Sequence, residues 1–374
     1  MKWQRVAAIA GREWREIVRD RLFFALAFIV PALLMLLFGY GLSLDVENIP
    51  FTVVDYDHSA LSREYSWQFI GSRYFHFEGY SDSEADAGRK LGAGQVRMTL
   101  VIPERFGREL AAQRPASVQT LIDGTFPSRA MTTRGYVEAI NASFSRQRLA
   151  RLPGLADMKG ITLQSRYLYN QNVSSIRSLA PKLIMVVLML SPPFLTALGI
   201  VREKENGSIF NIYSSDLSRG EFLLGKLAPY VAISTFNILM LWAFACLLYQ
   251  VPFKGDFAFF LLASGIYVLC TTGIGLLVSV LVSTQVAAMI VTLVVTMIPS
   301  ILYSGLIIPI DSLGSGARAV AHLVPAMYYA DIVVGCFLKN IGPAMLWRQL
   351  LVLVAYALIL FSLGYALFSK RPRT

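Results

Sequence analysis

Six apolar runs, each long enough to cross a bilayer, limit this chain more than any other feature. A span needs roughly 20 residues to cross about 30 Å of hydrocarbon. The runs near Leu22–Leu44, Leu179–Val201, Phe222–Tyr249, Phe257–Val282, Gln285–Ile310 and Leu346–Ser369 meet that length. The 374 residues are 55% hydrophobic and 16% charged, with mean hydropathy +0.54, where soluble domains run about 25% charged. The sequence therefore predicts a mainly α membrane protein with six transmembrane helices. A net charge of +10 would also suit nucleic acid. The basic residues gather beside the apolar runs, however, as the positive-inside rule requires, so the partner read from them is the lipid bilayer.

Residues 1–21 read as an amphipathic interfacial helix ahead of the first span, 22–44. Trp3, Val6, Ala7, Ala10, Trp14, Ile17 and Val18 share one arc, and Lys2, Arg5, Arg12, Arg15 and Arg19 cover the rest. A basic helix with Trp on its apolar face lies in the membrane interface. The following apolar run is too long for a signal peptide's h-region, so it is read as a retained span with Pro31 as a candidate kink.

Residues 45–178 have a different texture. "PFTVVDY", "YFHFEGY", "VRMTLVI" and "ASVQTLIDG" read as strands, separated by helical stretches and followed by a long helix from Phe126 to about Leu149. Alternation on this scale predicts an α/β domain between spans 1 and 2. Spans 2–6 occupy 179–374. Lys and Arg cluster in the N-terminal helix, in the 202–226 loop and in the tail. Six spans then put both termini and that loop in the cytoplasm and the α/β domain outside. Residues 311–345 are too interrupted to span and too apolar for a free loop. A re-entrant segment in the outer leaflet and a surface helical hairpin both fit.

Ionisable residues are absent from the span interiors. Lys182, Lys226 and Arg348 stand near span ends, where long side chains can reach the interface. Ion-coupled carriers use charged or titratable groups at depth, so this composition disfavours one. Hydrolytic and metal motifs are missing too. The three histidines have no H-E-x-x-H spacing, no G-x-S-x-G is present, and Gly225-Lys226 is not followed by the hydroxyl residue of a phosphate loop. No catalytic, cofactor-binding or metal residues are assigned. The three cysteines, Cys246, Cys270 and Cys336, suggest small buried hydrophobes. Pro192 and Pro193 are a candidate gate in span 2, or a tolerated kink.

The densest charge run lies just past that span. Arg202, Glu203, Lys204 and Glu205 extend it, Gly207 and Ser208 turn, and Ile209, Phe210, Ile212 and Tyr213 have the spacing of a short helix with one apolar face. Two readings fit: a helix that docks in a groove of a soluble partner, and a turn that anchors in lipid headgroups. A second charged turn, Arg219 to Glu221, leads into Gly225-Lys226.

Here the sequence resembles the membrane subunits of ABC-2 exporters (type V exporters). Their pattern close to R-E-[KR]-E-x-G-[ST] stands as Arg202 to Ser208, and their E-x-x-x-G-K as Glu221 to Gly225-Lys226. "VVDYDHSALSRE", "VIPERFGREL", "LIDGTFPSRA", "STQVAAMIVT", "YSGLIIPIDSL" and "VGCFLKNIG" extend the likeness along the chain. One departure is Ser215-Asp216, where the family often has Thr-Pro. The resemblance implies a permease subunit, homodimeric or paired with a similar subunit, served by a separate ATP-binding subunit that holds ATP and Mg. The segment after span 2 would be the coupling helix. It further implies a bacterial inner-membrane protein, re-entrant helices over 311–345, and room for a periplasmic adaptor protein. The alternatives are an ion-coupled secondary transporter and a membrane-anchored sensor whose extracytoplasmic domain binds a ligand.

Overall fold

The computed structural model describes residues 2–41, 47–125, 127–150, 175–208 and 217–368. The chain divides into two compact units, one of residues 44–165 and one built from 1–43 with 166–374.

In the smaller unit, β1 (Ile49–Asp55), β2 (Phe75–Tyr80), β3 (Met98–Ile102) and β4 (Gln119–Ile122) form one sheet in the order β2-β1-β3-β4. β1 runs parallel to β2 and β3, and β4 is antiparallel to β3. Parallel neighbours need crossover connections, supplied by α3 (Ala60–Ile70) and α4 (Glu84–Gly92). Because side chains alternate along a strand, the sheet has two faces. Phe51, Val53, Leu100 and Ile102 pack with Tyr65 and Phe69 of α3, Phe106 of α5 (Phe106–Ala111) and Phe144 of α6 (Pro127–Ala150). Val54 and Val101 pack with Ala87 of α4 on the other face.

The larger unit is a helix bundle. An N-terminal helix, α1 (Trp3–Arg19), precedes α2 (Arg21–Gly41), α7 (Ser175–Glu205), α8 (Arg219–Leu248), α9 (Phe257–Leu281), α10 (Gln285–Leu302) and α13 (Pro343–Leu367). The last six are long and apolar enough to cross a membrane. α7 is the central post, with Leu183 to Met189 almost wholly buried.

One backbone group freed by a helix breaker finds a side-chain partner, as hydrocarbon demands. Pro31 has no N–H, which leaves the Ala27 carbonyl free four residues back. The Asn237 amide of α8 donates to it at 2.8 Å, and the Tyr249 hydroxyl donates to Met35 O at 2.8 Å. Pro192 and Pro193 lie inside the unbroken α7. There Gly275 of α9 touches the backbone: a Cβ on it would stand 2.7 Å from Pro193 Cα.

The end of the fifth span differs from the sequence reading. α10 stops at Leu302 rather than Ile310, although the apolar run continues. Gly305 takes φ +77° and turns the chain away. Residues 311–345 form α11 (Ser315–Ala321) and α12 (Pro325–Lys339), bent by 80° at the break. α12 sits among the helices, with Tyr329, Ile332, Cys336 and Phe337 fully buried. Tyr329 stacks on Tyr267 of α9 at a 4.0 Å centroid distance. Lys182 donates to Gly305 O at 2.6 Å, so it is held by the protein.

The contact at Gly275 is testable. Gly275→Leu overpacks α7 against α9 and costs about 1–3 kcal/mol, lowering the melting temperature of the solubilised protein. Gly265→Leu, where no atom lies within 4 Å of an added Cβ, leaves it unchanged.

Candidate functional site

The charge run at the end of α7 sends each member to a different helix. Arg202 donates to Asp20 Oδ2 at 2.7 Å, and its guanidinium lies 5.2 Å from the Phe23 ring centre. Glu203 pairs with Lys226 of α8 at 2.9 Å. Lys204 donates to the carbonyl of Ser279 in α9. Glu205 Oε2 accepts from both the backbone and side-chain N–H of Gln285, the first residue of α10, at 2.9 Å each. The helix ends at Glu205, and Gly207 adopts φ +71°, the left-handed geometry that glycine supplies past a helix C-terminus. Ser208 Oγ donates weakly to Glu203 O, at 3.4 Å.

α8 opens with a capping box. Ser218 Oγ accepts from the Glu221 N–H, and Glu221 Oε2 accepts from the Ser218 N–H. The second carboxylate oxygen of Glu221 accepts the Lys2 N–H at 2.6 Å. One turn on, Gly225 lets α1 come close: a Cβ would meet Val6 O at 3.0 Å and Ile9 Cβ at 2.8 Å. Lys226 then points into the seam and reaches Glu13 of α1 at 2.6 Å as well as Glu203. The Tyr230 hydroxyl donates to the other Glu13 oxygen. Gly199 of α7 leaves room for that hydroxyl, which a Cβ there would strike.

One ammonium thus serves two carboxylates from different helices. Lys226 is 2% exposed, Glu13 4% and Glu203 8%. Buried charges persist only when paired and hydrogen-bonded. Glu203 Oε2 nevertheless has no hydrogen-bond partner among the described residues. Burial pushes the Glu13 carboxyl above its usual range. Lys226 and Tyr230 pull it back only in part, and the Glu203 charge pushes the same way as burial. At Asp20 burial also acts upward, but Arg202 and the N–H groups of Leu22 and Phe23 outweigh it and hold the carboxyl low.

The sequence reading is corrected at two points. Lys226 does not reach for the interface, because two carboxylates inside the protein offer a better partner than solvent. The α1 apolar arc is also split. Ile17 is buried with Val6 and Glu13, while Trp3 and Trp14 are 72% and 45% exposed. Glu203, which extends the second span as the sequence suggests, turns its carboxylate inward onto Lys226. Ile209, Phe210, Ile212 and Tyr213 lie outside the described residues. Glu13, Asp20, Tyr230 and Gln285 complete the site and were not singled out from sequence. Glu13 had a signal: it follows Val6 by seven residues and precedes Ile17 by four, on the stripe of a helix that packs. Gly220 to Lys226 has the G-x-x-x-x-G-K spacing of a phosphate loop. It runs as helix, though, with Leu227 where a hydroxyl would be.

Elsewhere in the bundle a cavity of about 410 Å³ opens between α7, α9, α10, the α11–α12 break and α13. Met189, Ile274, Val295, Pro299, Leu323 and Tyr356 are among its almost wholly apolar lining. Among the described residues no three His, Cys, Asp or Glu side chains gather to hold a metal ion.

Comparison with known proteins bears on what such an arrangement serves. A family model described as "ABC-2 family transporter protein" matches residues 21–366. The chain is 31% identical to the probable multidrug ABC transporter permease YbhS of Escherichia coli K12, over 99% of this chain and 98% of that one. It is 25% identical to the probable multidrug ABC transporter permease YbhR of the same organism, over 99% of each. The inner membrane transport permease YhhJ is 22% identical over 86% of this chain and 85% of its own.

Lys226→Ala leaves two buried carboxylates uncompensated and costs about 3–5 kcal/mol, read as a lower melting temperature. Glu13→Gln, which keeps a polar partner, costs less. The raised Glu13 carboxyl holds its proton more tightly folded than unfolded. Its contribution to stability is therefore full below the ordinary carboxylate range and is lost as pH rises through the raised value. The melting temperature falls with pH across that window, and Glu13→Gln flattens the fall.

Proposed function

The chain belongs to the ABC-2 family of transporter proteins, and on that premise we propose that it is the permease subunit of an ATP-driven exporter. Its partners are a separate ATP-binding subunit and a second permease copy or a similar subunit. ATP and Mg bind the former, and this chain has no ATPase site of its own. The proposed setting is a bacterial inner membrane, with both termini and the 202–226 loop in the cytoplasm. α1 then lies in the interface, the α/β unit is extracytoplasmic and available to a periplasmic adaptor, and α11–α12 is a re-entrant pair.

The observation that carries this reading is the wiring of the α7 end. Residues 209–216, the proposed coupling helix, follow directly on an arm bonded through Asp20, Lys226, Ser279 and Gln285 to the helices around it. A push on that segment reaches these helices together, because each is joined to the arm by an ion pair or a hydrogen bond. The arm continues through α7 to Pro192 and Pro193, the proposed flexure, and on to Met189 at the apolar cavity. A cavity of this size and character suits lipophilic compounds, in keeping with the multidrug description of its relatives.

The test is capture of the ATP-binding subunit by the full-length permease. Phe210→Ala removes an apolar anchor of the proposed docking face. Affinity falls by roughly 30-fold, the 2 kcal/mol or more of an interface hot spot, while melting of the permease alone is unchanged. Undiminished capture and substrate-stimulated ATP hydrolysis would sink the coupling assignment.

A further inference from the structure

α1 uses one face to pack on α8, and what remains is two exposed faces of opposite character. One carries Trp3, Trp14 and Val18, the last 48% exposed. It continues past Asp20 into Leu22 and Phe24 of α2, 51% and 41% exposed. The other carries Arg12, Arg15 and Arg19, all exposed. Among the described residues none of these three arginines has a carboxylate in ion-pair range, and Arg15 spends its Nε–H on the carbonyl of Gly11 one turn back. Of the acids on this stretch, Glu13 is held in the buried seam and Asp20 on Arg202, which leaves Glu16 alone beside three arginines.

Like charges three and four residues apart on a helix face repel one another, so this stripe is costly unless a counter-anion lies against it. The counter-anion also has to adjoin an apolar phase, because Arg15 and Arg19 flank Trp14 and Val18 on the helix surface. Past the break at Asp20, exposed Leu22 and Phe24 open the first membrane-length helix. An acidic protein surface would satisfy the arginines and leave the tryptophans in water. Phospholipid with an anionic headgroup satisfies both, placing phosphate at the guanidinium groups and acyl chain at the indoles. We infer that α1 is an anionic-lipid binding surface, in which Arg12, Arg15 and Arg19 hold phosphatidylglycerol-type headgroups while Trp3 and Trp14 enter the acyl boundary. The lock of Glu13 on Lys226 fixes the helix about its axis, so the arginines cannot turn away.

This rests on the interfacial placement of α1 proposed above and is independent of any ATP-binding partner. The full-length chain is placed in bilayers of phosphatidylcholine with a minor fraction of phosphatidylglycerol. In one preparation the phosphatidylglycerol acyl chains are brominated, and in the other an equal amount of the phosphatidylcholine is. The signal is the tryptophan fluorescence lost by the unmodified chain minus that lost by the Trp3→Phe/Trp14→Phe variant, two changes at exposed positions. Each arginine beside an anionic surface is worth about a fivefold gain in local lipid partition. Brominated phosphatidylglycerol therefore quenches at least about twofold more than brominated phosphatidylcholine. The excess disappears in Arg12→Gln/Arg15→Gln/Arg19→Gln and in high salt. Equal quenching by the two lipids overturns the inference and leaves the interfacial placement standing. An excess that survives the triple substitution removes the arginines from it. Quenching by neither lipid overturns the interfacial placement as well.

Discussion

A single buried ammonium organises one end of this helix bundle. Lys226 is held by Glu13 at 2.6 Å and Glu203 at 2.9 Å, so three helices meet at one nitrogen. The α1–α8 seam, the end of α7 and the close approach at Gly225 depend on that charge being satisfied. In water such pairs contribute little. Here the alternative to pairing is an uncompensated charge in a dry site, which makes the geometry specific as well as stabilising. The surrounding glycines follow from it. Gly199 admits the Tyr230 hydroxyl and Gly225 admits the α1 backbone, and without both the ammonium would not reach its partners.

The surplus of charge after α7 has a corresponding explanation. A turn between two spans needs only a few polar residues, yet Arg202 to Glu205 are all used, each on a separate neighbour. The run ties the end of α7 to the helices around it. Such bracing is what the proposed coupling to a partner subunit would require.

The amphipathic arc of α1 was readable, but its partition was not. Val6, Ile17, Trp3 and Trp14 look alike on a helical projection. Which edge packs was decided by Glu13, whose charge demanded the Lys226 side of the seam and thereby left the tryptophans outside. Lys226 was misplaced for the complementary reason. A lysine near a span end reaches for water in an isolated helix, and only the neighbours reveal that two carboxylates stand closer. The end of α10 was overrun because hydropathy persists through Tyr303 to Ile310, while the chain obeys the backbone of Gly305.

The sequence alone determined how many segments can cross a membrane, where the strands of the α/β unit fall, and that no span interior carries an ionisable group. These follow from local composition and from periods of two and 3.6 residues, which act over a few neighbours. Tertiary structure decided which charges pair, which face of α1 is buried, how α11 and α12 bend, and where the apolar cavity opens. Those outcomes depend on residues more than two hundred positions apart, such as Glu13 and Lys226. The energy of a buried charge is set by whatever surrounds it in space.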